Sequence, residues 1–134
     1  MPVLKFDIDK PVILAYVILR NHGETKRLLM ALDTGATYCM IPWKIADALA
    51  LRPELYKEKI ETITASGVEI VPIVEIESVR MDDAEASTVK ATVHDLPEKS
   101  YVDGLLGLSF LRNFNILLNF KEGVMSLDKI SKGC

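Results

Sequence analysis

The 134-residue chain has only two cysteines and no long apolar run, and each shortage closes off a class of protein. Cys39 and Cys134 are too few for a disulfide framework. Cys39 reads as a small core residue and Cys134 as an exposed thiol at the end of the chain. With His22 and His94 they make no zinc-binding spacing, and no metal site is expected. No apolar stretch approaches the roughly 20 residues of a membrane-spanning helix. The opening residues, MPVLKFDIDKPV, lack the charged-then-apolar order of a signal peptide, so the expected location is cytoplasmic. Lys and Arg are scattered through a chain of net charge -3, without the basic stripe that nucleic-acid binding requires. Neither histidine has the Ser or Cys context of a nucleophilic triad, since His22 falls in a turn and His94 precedes Asp95.

What is present describes a water-soluble domain. Hydrophobic residues make up 49% and charged residues 26%, and the length suits a single domain with its own core. Short strand-like segments dominate. PVILAYVILR and RLLMALD read as a hairpin turning at Gly23. KEKIETI, VEIVPIVEIESVRM and ASTVKATVHD follow as strands, the first two split at Ser66-Gly67, with Pro72 marking a bend or an edge. NILLNF and VMSLD form a last hairpin around KEG. PWKIADALAL has helical spacing and should stop before Pro53, and LSFLRNF is a second short helix. Trp43 is expected to pack the start of the first helix against the core. Many short strands and two short helices predict a mostly β barrel or sandwich.

One apolar strand ends awkwardly. Leu28, Leu29, Met30, Ala31 and Leu32 lead straight into Asp33-Thr34-Gly35. An unpaired carboxylate at the end of a buried strand is costly. An Asp-Thr-Gly turn that accepts its own backbone N–H groups accounts for it in structural terms. A site that receives an extended chain is the functional reading, because Gly35 lets backbone approach closely. A second element, YVDGLLGLSFL, brings a strand-like segment to Gly104, then two leucines, then Gly107 and a helix. Asp82 and Asp83 read as a solvated loop, and Asp103 as a turn cap before Gly104. The DTGAT run lacks the Lys between Asp and Thr that the phosphorylated aspartate of P-type pumps would need.

Taken together, Asp33-Thr34-Gly35-Ala36, the hairpin TITASGVEIV and Leu105-Leu106-Gly107 before LSFLRNF resemble the retropepsin-like aspartic proteases in order and spacing. The resemblance runs over about residues 12–128 of one domain covering 1–134. It implies a closed β-barrel of the acid-protease type with one or two short helices, working as a homodimer. Thr37 stands where retroviral members usually carry an acid, which should alter local hydrogen bonding without abolishing activity.

The resemblance also implies the chemistry. Family members need two carboxylates, and this chain has one Asp-Thr-Gly, so the partner of Asp33 should be Asp33 of a second copy. Thr34 would bond across the dimer axis and Gly35 would face substrate backbone. Ala36 would form part of the cleft wall. Ala65, Ser66, Gly67 and Val68 would form the tip of a flap, or else of an ordinary hairpin. Leu105, Leu106 and Gly107 would support the Asp33 loop. The expected activity is endoproteolysis of extended or unfolded polypeptide without cofactor or metal, and without nucleic-acid or membrane partners. The alternative is a catalytically silent dimeric relative that binds peptide in the same cleft.

Overall fold

The structure is a computed structural model that describes residues 3–64 and 66–130. In chain order the elements are β1 (Val3–Lys5), β2 (Leu14–Asn21), β3 (Glu24–Leu32), β4 (Cys39–Ile41), α1 (Trp43–Ala48), a 3-10 turn (Pro53–Leu55), β5 (Lys59–Thr64), β6 (Gly67–Met81), β7 (Ala84–Val93), β8 (Gly104–Leu106), α2 (Leu108–Leu111), β9 (Phe114–Asn119) and β10 (Val124–Lys129). The chain is mostly β, as its alternation of apolar and polar residues predicts. No helix among the described residues is long and apolar enough to cross a membrane.

Six strands close a barrel in the order β2-β3-β8-β4-β7-β6, and β2 returns to β6 through Ile18↔Arg80, Leu19↔Val79 and Arg20↔Ser78. The hairpins set its register. Asn21 pairs with Glu24, leaving His22 and Gly23 as a two-residue turn with φ of 48° and 77°. Both values are positive, as a type I′ turn demands, and only glycine adopts such a φ without strain. Asp82 and Asp83 make the equivalent turn between Met81 and Ala84, and both are exposed. Val17, Leu19, Val74, Ile76, Val79 and Ala91 fill the interior with no more than 1% exposure. Burying a side chain of valine size or larger contributes about 1.5–3 kcal/mol. The buried Asn21 is satisfied: its amide donates to Leu49 O and its Oδ1 accepts from Glu77 N–H.

Two short strands in mid-barrel place the site. β8 runs parallel to β3 (Met30↔Gly104, Leu32↔Leu106), and β4 runs parallel to β7 (Cys39↔Ala91, Ile41↔Val93). They meet at Met40↔Leu105, so the segments carrying Asp33 and Gly107 emerge side by side. Outside the barrel, β5 pairs only with the first part of β6, ending at Lys59↔Pro72, after which β6 turns to β7 from Ile73. Pro72 therefore sits at an edge, where its missing N–H leaves no gap. A second sheet, β1-β10-β9, lays Met125 and Leu127 on the core.

Several expectations change. β1 forms within the first ten residues, where no counterpart was foreseen, and β4 was not foreseen either. The strand before Gly107 starts at Gly104 rather than ending there. Trp43 heads α1 but is 43% exposed and does not belong to the core. α1 also stops earlier than Pro53 requires, at Ala48. Ala50 N–H bonds to Asp47 O (3.0 Å) and Leu51 N–H to Ala46 O (2.9 Å), with Ala50 at φ 56°. That is a Schellman ending built without the usual glycine.

Candidate functional site

β3 carries Asp33 out of the barrel. Its backbone N–H donates to Leu106 O at 3.0 Å, so the end of β8 fixes where the aspartate begins. The carboxylate then closes a local turn: Oδ1 accepts the Gly35 N–H at 2.9 Å, and Asp33 O accepts the Ala36 N–H at 3.2 Å. This is the self-satisfying Asp turn that the residue types predict. The other carboxylate oxygen, Oδ2, accepts no hydrogen bond among the described residues, and Asp33 is only half-buried. Thr34 is exposed, and its hydroxyl likewise finds no partner among the described residues of its own chain.

The loop rests on the start of α2. Leu108 N–H donates to Ala36 O (2.8 Å) and Ser109 N–H to Thr37 O (2.9 Å). The Ser109 hydroxyl accepts the Cys39 N–H (2.9 Å) and donates to Lys90 O (2.7 Å), tying loop, helix and β7 together. Gly107 makes this approach possible. A Cβ there would lie 2.4 Å from Tyr38 O and 2.7 Å from Ala36 O, closer than any real side chain comes. Leu106 is fully buried beneath. The three residues Leu105, Leu106 and Gly107 thus lie directly under the loop, with Leu105 also reaching the adjoining cleft. Cys39 is buried and free, and burial pushes its thiol above the ordinary 9.0.

A cleft of about 250 Å³ opens beside the loop between Gly35–Tyr38, β5 and the end of β7. Gly35 and Ala36 line it. So do Met40, Ile60, Thr62, Val71, Thr92 and His94, which sequence reasoning did not place there. The period-two spacing of Thr92 and His94 at the end of β7 was the available signal. The sequence raises His94 only for a nucleophilic triad or a zinc site, and supports neither. Its Nδ1 instead lies 3.5 Å from Glu69 Oε2, on the hairpin that borders the cleft.

The β5–β6 hairpin joins Thr64 to Gly67. Ser66, Gly67 and Val68 lie at its exposed tip, and Ala65 lies outside the described residues. Ile63, at 87% exposure, stands opposite Val68, with Ile70 exposed on the same arm. Asp103 takes no place in the site: its carboxylate accepts Leu29 N–H (2.8 Å) and its N–H donates to Leu29 O (2.7 Å), pinning β8 to β3. Among the described residues no group of His, Cys, Asp or Glu is placed to hold a metal ion.

Residues 22–113, more than half of the chain, match the family model described as "gag-polyprotein putative aspartyl protease". The matched span holds the Asp33 loop, the β5–β6 hairpin and Gly107. Among solved structures, the chain is similar to a retropepsin-like aspartic protease from Rickettsia conorii, with a TM-score of 0.69 and 18% identity, covering 94% of this chain and 88% of the other. At that identity the likeness shows the fold. No curated protein matches the chain.

Proposed function

The chain belongs to the retropepsin-like aspartic protease family, and from that premise we propose that it is an aspartic endopeptidase whose dyad is Asp33 from each of two identical chains. The observation that carries this reading is the single Asp-Thr-Gly loop, clamped by backbone bonds to residues 106, 108 and 109 beside a cleft of about 250 Å³. One loop supplies one carboxylate, so a second copy is needed to complete the pair. The Thr34 hydroxyl, which has no partner among the described residues of its own chain, supports this, because a bond to the second copy's loop would satisfy it and fix the spacing of the two aspartates.

Two carboxylates in hydrogen-bond contact cannot both ionise cheaply, so the pair shares a proton. The ionised Asp33 acts as general base on a water held between the two. The protonated Asp33 polarises the scissile carbonyl, and the water adds to give a tetrahedral diol. The leaving nitrogen then takes a proton from the dyad and the C–N bond breaks.

The β5–β6 hairpin serves as the flap. It lies across the cleft from the Asp33 loop and carries exposed Ile63, Val68 and Ile70, suited to the side chains of an extended peptide. Extended substrate would be held mainly through backbone hydrogen bonds, with alternate side chains in pockets. Closure of Ser66, Gly67 and Val68 over it would exclude water.

The test is cleavage of a peptide library read by mass spectrometry from acid to neutral pH, with Asp33→Asn in parallel. The substitution keeps shape and removes the base, so a folded Asp33→Asn protein should make none of the cuts. Cuts that persist in a clean preparation would overturn the dyad assignment.

A further inference from the structure

A groove of about 520 Å³ lies between the N-terminal segment and the outer face of β2, β3 and β6. It shares no lining residue with the cleft beside Asp33. Leu4, Phe6, Leu14, Leu29 and Met125 supply apolar lining, and Lys5, Lys10, Arg27 and Arg80 supply four cations. Strand pairing gathers two of the cations: Arg27 on β3 and Arg80 on β6 stand on either side of Ile18. The Arg27 guanidinium lies 3.7 Å over the Tyr16 ring, and Arg80 Nη1 donates to Asp82 O at 3.1 Å. None of the four cations makes an ion pair among the described residues. The acids that line the groove are Asp7 and Asp82, and Asp7 Oδ1 already accepts the Asp9 N–H at 2.9 Å. In a chain of net charge -3, four cations gathered beside apolar surface complement a ligand that is anionic and partly apolar.

β2 leaves a stretch of open strand edge in the same groove. The two-residue turn makes Asn21 and Glu24 a hydrogen-bonded pair, and Leu32 N–H donating to Ile13 O at 2.9 Å keeps that alternation to the far end. Ala15 and Val17 therefore turn their backbone groups to β3, while Leu14, Tyr16 and Ile18 turn theirs the other way. β6 meets Ile18 through Arg80 and ends at Met81. Past that end, the backbone groups of Leu14 and Tyr16 have no partner among the described residues, and both residues line the groove. We propose that this groove binds a stretch of polypeptide carrying acidic and bulky apolar residues, which adds a short strand to β2 at Leu14–Tyr16 and sets its carboxylates against the cations. The open backbone edge selects polypeptide over an apolar carboxylate such as a fatty acid, which has no amide to pair with it. The site stands apart from Asp33 and does not depend on the shared-dyad reading.

The test is fluorescence anisotropy with a fluorescein-labelled peptide of alternating Glu and Leu, added to the full chain carrying Asp33→Asn so that the probe stays whole. The probe should bind saturably, and added salt should weaken it, since the cations lie at an open surface. Lys5→Gln with Arg27→Gln should raise its Kd about tenfold, the worth of two exposed ion pairs. Both positions are exposed, so the fold should be kept, with circular dichroism as the check. Two altered probes need no change to the protein. Gln in place of Glu should weaken the peptide at least as much as the double variant does, and N-methylation of every residue should abolish binding by removing the donors that reach the β2 edge. Absence of binding by the Glu-Leu probe, or a Kd untouched by the double variant, overturns the site. An N-methylated probe that binds as well as its parent, or dodecanoate that displaces the parent probe at equal concentration, overturns polypeptide as the occupant. Failure of the protease reading would leave each of these results as expected, because none of them uses cleavage.

Discussion

Gly107→Ala puts a single methyl group into the contact that holds the Asp33 loop, and its cost can be worked from the geometry. The added Cβ would sit 2.4 Å from Tyr38 O and 2.7 Å from Ala36 O, both backbone atoms with no rotamer to change. Restoring an ordinary contact means parting the loop and α2 by about 1 Å. At that separation the Leu108–Ala36 and Ser109–Thr37 bonds, now 2.8 and 2.9 Å, are lost. Two such bonds are worth about 2 kcal/mol, and overpacking adds roughly 1–3 kcal/mol. The φ at Gly107 is -96°, open to any residue, so the cost is steric and not conformational. Together roughly 3–5 kcal/mol should be lost, which is a fall in Tm of roughly 10–20 °C for a chain of this size. The assay is urea and thermal unfolding at one fixed protein concentration, since the stability of any self-associating chain depends on it. Gly23→Ala is the control. Its turn has nothing within 4 Å of the new Cβ and a φ of 77°, so it should lose only about 1–2 kcal/mol. Cleavage by Gly107→Ala should fall by about 10²-fold, as a 1 Å displacement of a catalytic group predicts. A Gly107→Ala protein within 1 kcal/mol of the parent would refute the reasoning, because the loop would then be free to move.

Cleavage per chain should fall on dilution below the dimer dissociation constant measured by sedimentation. Constant specific activity far below that value would exclude a site shared between chains. Ala50→Gly should stabilise the fold by about 0.5–1 kcal/mol, because Ala50 holds a φ of 56° that glycine adopts freely; a loss of stability on urea titration would contradict the helix ending described. Burial raises the Cys39 thiol above 9.0, so the folded chain keeps that proton to higher pH than the unfolded chain. The contribution is whole below about pH 9 and fades as pH rises through the folded value, so stability should slope down on the alkaline side. Cys39→Ala should flatten that slope, and an unchanged slope measured by urea unfolding at pH 8 and 10 would assign it to another group.

The longer strands were legible because they bury one face and alternate, as β2, β6 and β7 do. The Asp33 loop was legible because a buried apolar strand rarely ends on Asp-Thr-Gly without a reason. The shortest strands were not: β1, β4 and β8 have three residues each, too few to show a period. Their pairing is dictated by distant partners, Ala91 for Cys39 and Met30 for Gly104. For the end of α1 the sequence offered only the outer limit set by Pro53, since Ala50 fills the place where glycine usually signals the stop. Trp43 misled because size is a poor guide to burial at a helix start facing solvent. His94 entered the cleft, with Glu69 3.5 Å from it, through tertiary pairing, which no local motif records.

The stability of the fold and the position of the aspartate depend on the same few contacts. Among the described residues Asp33 has one side-chain bond, to Gly35 N–H two residues away, and its loop is held further by backbone bonds to residues 106, 108 and 109. Those residues are more than seventy positions distant, and they reach the loop only because Gly107 has no side chain and Ser109 bridges Cys39 and Lys90. A loop fixed this way is organised before any partner or peptide arrives. Completing the dyad then costs little further ordering within either chain. In the shared-dyad reading proposed above, a second copy has only to bring two finished halves together.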